Sequence, residues 1–263
     1  MLGKLLKYDL KWIYKVLVVF YILGIIFAIL GRAFTEIENS VLFNIIGKIC
    51  NGTAIAMVVN VLINNLMRVW VRFTRNAYKD EAYLTHTLPV EKKTIFLSKV
   101  LSAIITMVTS ILVIIICLAI CYYSTENIEF LKVALEIVAT TYNSTVIELL
   151  LIIFAVVALE LIYTLLAGFI GIILGHKSNN IKMGKSILYG FIAYTIAQTL
   201  TLVILFIIGL FNPEIMNLFN TTEIVNLEII KTIMYIAIVI YTSYIVAYYI
   251  IGKKLLEKGV NVD

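Results

Sequence analysis

The chain has 263 residues, of which 62% are hydrophobic and 14% are charged, with a formal net charge of +5. Soluble domains are about 45–50% apolar and about 25% charged, so this composition excludes a water-soluble globular fold. With 2 prolines and no sustained alternation of apolar and polar residues, the sequence predicts long membrane-spanning helices rather than a membrane barrel.

The first fifteen residues predict an amphipathic helix that lies at the membrane surface. Apolar side chains occupy one face, and membrane lipids are therefore expected partners. Lysines spaced three and four apart mark the opposite face: Lys4, Lys7, Lys11 and Lys15. Asp9 projects into the apolar side. It either reaches interfacial water or pairs with a neighbouring protein group.

Six apolar stretches follow, and a bilayer crossing takes about 20 such residues. We therefore predict an all-α integral membrane protein with a single transmembrane domain over residues 1–263. The predicted spans cover residues 16–30, 45–69, 95–123, 149–174, 187–211 and 229–251 approximately.

The basic residues are distributed asymmetrically between the two ends of these spans. Of the 21 lysines and arginines, most lie at the two termini, in the central loop of residues 70–94 with its flanks, and in the loop that begins at Lys177. Cytoplasmic loops carry an excess of Lys and Arg, so we expect both termini in the cytoplasm of a cell-membrane protein. The residues that fall on the other side are Arg32, Lys48, Lys132 and Lys231.

The central loop, residues 70–94, is the longest stretch without a membrane-competent core. It begins with basic residues at helical spacing and continues with Asp80, Glu81, Leu84 and Leu88. Pro89 lacks a backbone donor and biases the preceding residue away from the helical region, so the chain is expected to turn there. A polar segment on the basic side of a membrane protein suggests a docking surface for a soluble partner.

Polar residues inside the predicted spans are candidate functional groups. Glu160 is the one acid deep within a span, and an ionisable group there is costly. It could protonate, bind a cationic substrate, or pair across a subunit contact, or it could be neutral and hydrogen-bonded to Tyr163. Asn60, Asn64 and Gln198 could line a translocation path or form hydrogen bonds between helices.

Three glycines of the fourth span, Gly168, Gly171 and Gly175, would let another helix approach closely, within one chain or across a dimer. No catalytic triad, carboxylate pair or metal-ligand spacing is present in the sequence. The Gly184-Lys185-Ser186 triplet has Asn179 where a phosphate loop requires glycine. We therefore predict no catalytic residue, no metal, no cofactor bound by this chain and no nucleic-acid partner.

Three stretches resemble one family. Residues 80–90 read DEAYLTHTLPV and are followed by Leu97-Ser98-Lys99, which is similar to the DEGYLT-x-TLPV … SK segment of ATP-binding cassette permeases of the exporter type-2 family. The N-terminal LKYDLK pattern and the C-terminal KKLLEKGVN also look similar to this group. Ala82 stands where the family pattern has glycine.

The resemblance implies a fold and a mechanism. Residues 1–15 would be an elbow helix on the inner leaflet, and residues 74–90 would be a coupling element that docks on a separate cassette-type ATPase. The coupling positions would be Asp80, Glu81, Leu84, Leu88 and Pro89. ATP and Mg would bind to that partner, so the chain itself is not expected to be an enzyme. A second permease copy or paralogue would complete the transporter.

Such a permease would export a peptide, a lipid-like molecule or another amphipathic or antimicrobial substrate from a bacterial cell by alternating access. Two alternatives stay open at this point. One is a proton-coupled secondary transporter that uses Glu160. The other is a non-transporting membrane immunity or scaffold protein.

Overall fold

The computed structural model describes residues 1–37, 40–141, 144–178, 181–216 and 227–258, and within these ranges the chain is helical without a strand. Six of the helices are long and apolar enough to cross a membrane, which confirms the predicted all-helical membrane class. The helices are α1 (Leu2–Thr35), α2 (Val41–Tyr78), α3 (Ala82–Thr87), α4 (Lys92–Tyr122), α5 (Thr125–Thr141), α6 (Val146–His176), α7 (Lys182–Phe211), α8 (Pro213–Met216) and α9 (Leu227–Glu257).

The chain divides into two compact units, Met1–Glu129 and Phe130–Asn261, with the boundary inside α5. Each unit contains three of the long helices. In unit 1, α1 packs on both α2 and α4, and in unit 2, α6 packs on both α7 and α9. Each unit also has a short helix, α3 or α8, between its second and third long helices. Of the two prolines, Pro89 follows α3 and Pro213 is the first residue of α8, and at both positions a missing backbone donor is tolerated.

The expected surface helix over residues 1–15 is not a separate element. It is the first part of α1, which runs unbroken from Leu2 to Thr35. Buried residues recur every three or four positions along α1, so its inward face continues through the predicted break: Asp9, Ile13, Leu17, Tyr21, Gly24, Ala28 and Gly31. The reason is that no proline interrupts this stretch, and one apolar stripe serves both parts of the helix.

The predicted spans are shorter than the helices that contain them. α2, for example, continues to Tyr78, so the first part of the predicted loop 70–94 is helical. A hydropathy pattern marks only the apolar residues that cross the lipid. A helix can continue beyond them into water where its side chains are polar. The predicted turn at Pro89 is confirmed, since α3 stops at Thr87 and Leu88 is extended before Pro89. Helix α5 was not predicted, because its mixed apolar and charged pattern falls below a span's hydropathy.

The glycines of α6 face α7 within the same unit. A Cβ atom added to Gly171 would lie 2.5 Å from the Cα atom of Gly190, and one added to Gly175 would lie 2.5 Å from the Cα atom of Ser186. Gly168 also lies beside Gly190. These glycines therefore bring two helix backbones of one chain into direct contact, the arrangement that small residues permit in membranes.

We predict that Gly171→Ala will separate α6 from α7 and lower stability by about 1–3 kcal/mol, because the new methyl group would overlap backbone atoms that cannot rotate away. The measurement is the thermal unfolding midpoint of the purified protein in mild detergent. Gly52→Ala in α2 is the matched control, because a Cβ atom added at Gly52 would meet no neighbouring atom within 4 Å. It should leave stability unchanged or raise it by about 0.5–1 kcal/mol. Equal midpoints for the two variants would contradict the packing role.

Candidate functional site

A buried ionic cluster joins the three long helices of unit 1. Its centre is Asp9 on α1, which is only 1% exposed. Arg72 of α2 donates from Nε to the Asp9 carboxylate at 2.9 Å, and Lys99 of α4 donates from Nζ to the same oxygen at 2.5 Å. The Ser98 hydroxyl donates to the second carboxylate oxygen at 2.9 Å. One carboxylate therefore binds two helices that are up to 90 positions away in the chain.

The cluster extends to the segment between α2 and α4, here called the connecting segment (residues 79–91). Arg72 donates from Nη1 to the Glu81 carboxylate at 2.7 Å. The Asn76 amide also donates to Glu81, and its carbonyl oxygen accepts from Lys99. Glu81 thereby ties the connecting segment to Arg72, which also holds Asp9, and Asn76 links Glu81 to Lys99.

The charges of the cluster balance, since two carboxylates face one guanidinium and one ammonium group. Burying such groups is expensive, and their mutual attraction offsets the cost only when geometry and hydrogen bonding are favourable. Here the Asp9 oxygens accept hydrogen bonds from three side chains. Removing one member would leave a buried charge uncompensated. The cluster is therefore a strong constraint on how α1, α2 and α4 assemble.

The basic residues of α2 that share a face in the sequence have different environments in the structure. Arg72 is buried in the cluster, and Trp12 of α1 lies beside it, with Arg68 stacked over the same indole ring at 4.2 Å. Arg75 is half exposed and pairs with Asp80 at 3.5 Å, and Lys79 is exposed. Helical spacing therefore predicted that these basic residues share a face, but it did not show that Arg72 is the one buried in the cluster.

A cavity of about 310 Å³ opens beside the cluster in unit 1. Four of the charged residues line it, and apolar side chains from the start of α1, from the connecting segment and from α4 complete it. The apolar and aromatic lining residues are Leu5, Tyr8, Leu84, Leu88 and Ile95. The cavity thus connects the buried charges to the most exposed part of the connecting segment.

The five predicted coupling residues divide into one internal and four external positions. Glu81 is half buried and bonded within the cluster. The other four are exposed, and Leu84 is 66% exposed although it is a large apolar side chain. Its neighbour Tyr83 is 76% exposed. The connecting segment therefore presents apolar side chains outward while an acidic residue anchors it from inside.

The predicted intramembrane polar residues of α2 are not the ones that join helices. Asn60 and Asn64 donate only to carbonyl oxygens of their own helix, each at 2.9 Å. Asn65 is fully buried and donates to the Thr106 carbonyl oxygen at 2.8 Å and to the Ser110 hydroxyl at 2.6 Å, both on α4. Its side chain lies on the buried face of α2. The sequence alone does not show which of the asparagines of α2 lies on that face.

In unit 2, Gln198 lies among tyrosines. Its amide donates to the Tyr194 hydroxyl at 3.0 Å and also to the Tyr163 hydroxyl. Tyr163 is fully buried, and its ring stacks on Tyr194 with centroids 5.9 Å apart and on Tyr241 with centroids 5.2 Å apart. Gln198 thus links helices rather than standing alone in the span. Glu160 is half buried, one helical turn before Tyr163.

The six apolar helices define a multi-pass membrane protein. No family model, curated protein or solved structure matches this chain. Among the residues that the structure describes, no group of three or more His, Cys, Asp or Glu side chains is placed to hold a metal ion. The function of the protein is therefore inferred from its own side chains and their contacts.

We predict that Asp9→Ala will destabilise unit 1 by about 3–5 kcal/mol, because Arg72 and Lys99 would remain buried without their shared counter-charge. Thermal unfolding in detergent measures the loss. Asp80→Ala removes an acid whose side chain is 76% exposed and should change stability by no more than about 0.5 kcal/mol. An Asp9 variant as stable as the Asp80 variant would refute the structural role of the cluster.

The two neighbouring asparagines of α2 provide a second comparison. Asn65→Ala should lower stability by about 1–2 kcal/mol, since it leaves buried acceptors on α4 without their donor. Asn64→Ala removes a bond to its own helix only and should stay within about 0.5 kcal/mol of the parent. The measurement is the thermal unfolding midpoint of each variant. If Asn64→Ala lowered the midpoint more than Asn65→Ala, the contact between α2 and α4 would be assigned to the wrong residue.

Proposed function

We propose that the chain is the membrane-spanning permease subunit of an ATP-driven exporter in the cell membrane, with both termini in the cytoplasm. A separate cassette-type ATPase would hold ATP and Mg, and a second permease copy or paralogue would complete the complex. The substrate would be a peptide, a lipid-like molecule or another amphipathic compound. The observation that carries this proposal is the connecting segment, which is apolar outside and ionically anchored inside.

The exposed side of the connecting segment has the properties of a docking surface. Tyr83 and Leu84 are large and mostly exposed, and the basic-residue distribution predicts that they face the cytoplasm. Aromatic and aliphatic anchors of this kind carry much of the binding energy when a partner buries them. A soluble ATPase subunit is the partner that this surface would fit.

The internal side supplies a physical path for movement. A displacement of the connecting segment would act on Glu81, and Glu81 is bonded to Arg72 of α2. Arg72 is bonded in turn to Asp9 of α1, which also holds Lys99 of α4. Because the bonds to Asp9 are buried and the Arg72–Glu81 bond is partly buried, the segment and three membrane-spanning helices would move together rather than independently.

The resemblance noted in the sequence points the same way. Two of the three stretches that resemble exporter permeases contribute to the ionic cluster: LKYDLK provides Asp9, and the DEAYLT segment with its following LSK provides Glu81, Ser98 and Lys99. Segments that are far apart in the chain thus meet in one site. This is what a shared coupling role would require, and it supports the permease proposal over a scaffold without a moving part.

We expect Leu84→Asp to lower stimulation of the partner ATPase by about 10-fold or more, because a carboxylate would enter an apolar contact. The experiment purifies the chain from its native membrane in mild detergent with its soluble partner and measures ATP hydrolysis. Phe130→Asp on α5 is the matched control, since Phe130 is 76% exposed and lies on the side predicted to face outward.

Equal ATPase activity in the two variants, with equal amounts of folded complex, would refute the coupling assignment. Purification of the chain without any cassette-type ATPase from several mild detergents would refute the exporter proposal itself.

A further inference from the structure

Glu160 is an isolated charge in the membrane-spanning part of unit 2. It lies in α6, whose most apolar window has a mean hydropathy of 2.7. The ion pairs among the described residues do not include Glu160. By contrast, Glu148 at the start of the same helix pairs with Lys231 at 3.2 Å. A carboxylate at membrane depth is costly unless something compensates it, so Glu160 calls for a functional explanation.

A group of packed tyrosine rings begins one helical turn after Glu160. Tyr163 follows Glu160 by three residues, which places both on the same face of α6. Tyr241 of α9 stacks on Tyr163, with ring centroids 5.2 Å apart. Tyr244 packs edge-on against Tyr163, with centroids 5.8 Å apart. We call Tyr163, Tyr194, Tyr241 and Tyr244 the tyrosine cluster.

The cluster is held in place by its own bonds. Gln198 donates to the hydroxyls of Tyr163 and Tyr194, and Tyr244 donates to the carbonyl oxygen of Ala197 at 3.0 Å. The rings are therefore fixed relative to one another, one helical turn from Glu160, before any ligand arrives. Glu160 and Tyr241 are only half buried, so a molecule dissolved in the bilayer can reach them from the side of the helices.

We propose that Glu160 and the tyrosine cluster bind the positively charged group of a lipophilic organic cation. The carboxylate would supply the opposite charge, and the ring of the half-buried Tyr241, which the buried Tyr163 holds in place, would attract the same cation. A lipophilic body would remain in the surrounding apolar environment. An anion would be repelled by Glu160, and a neutral apolar molecule would leave the carboxylate uncompensated. This inference rests on the proposed export function and narrows its substrate to cationic amphiphiles.

The experiment measures binding of tetraphenylphosphonium to the purified chain in lipid nanodiscs by equilibrium dialysis. We expect Glu160→Gln to weaken binding by about 10-fold or more, because the amide keeps the shape and removes the charge. Tyr241→Leu should weaken binding several-fold, whereas Tyr241→Phe should retain it, since the ring face is the contact. Glu148→Gln is the control and should leave binding unchanged, because that acid is paired elsewhere.

Tetraphenylborate, an anion of the same shape, separates charge recognition from simple partitioning. After the amount of each ion taken up by empty nanodiscs of the same lipid is subtracted, we expect the borate to bind the parent more weakly than the phosphonium does, and Glu160→Gln should reduce that difference. Equal binding of the two ions to the parent, or unchanged phosphonium binding in a folded Glu160→Gln variant, would overturn the inference. It would leave Glu160 as a protonated or packing residue. The unfolding midpoint of each variant verifies that it is folded.

The two proposals can fail separately, because the dialysis experiment contains no ATPase. Loss of a partner ATPase with phosphonium binding intact would refute the exporter proposal and preserve the cation site. A normal ATPase complex with no charge-selective binding would refute the cation site alone.

Discussion

The structure of unit 1 depends on the electrostatic requirement that a buried carboxylate be compensated. Asp9 lies in the inward stripe of α1, where its neighbours one turn away are apolar. It is compatible with that position because Arg72 and Lys99 reach it from two other helices. The same cations are reached by Glu81 and Asn76, so the connecting segment shares the constraint. Helix packing, the turn after α2 and the cavity beside it therefore follow from one set of bonds.

The two units have a similar order of helices, but different kinds of side-chain contact join those helices. Unit 1 joins its helices through balanced charges and amide–hydroxyl bonds, such as those of Asn65, within a mainly apolar core. Unit 2 brings α6 and α7 together through glycines and orders its interior with stacked phenols. Its carboxylate, Glu160, is left without an ion pair among the described residues. In the proposed exporter, unit 1 would transmit movement from the ATPase, and unit 2 would recognise the substrate.

Sequence reasoning succeeded where the signal is local. The apolar stretches predicted six spans, and Pro89 predicted the turn that ends α3. It was wrong about a separate surface helix over residues 1–15, because an amphipathic pattern is shared by a helix on lipid and a helix packed on protein. It singled out Asn60 and Asn64, whereas Asn65 forms the contact between helices. Periodicity describes faces of a helix but does not say which neighbour each face meets.

Composition and hydropathy by themselves determined the helical membrane class, because in lipid every backbone polar group must be bonded internally and these long apolar runs achieve that as helices. The sequence also marked Asp9 and Glu160 as acids in apolar surroundings, with several readings open for each. For Asp9, only the tertiary structure showed that it pairs with side chains of neighbouring helices. Asp9 and Lys99 are 90 positions apart, and no local pattern encodes their contact. They pair because three helices pack closely enough to exclude water. Without water, a charge that lacks its partner costs much of the folding free energy, so the choice of partner matters.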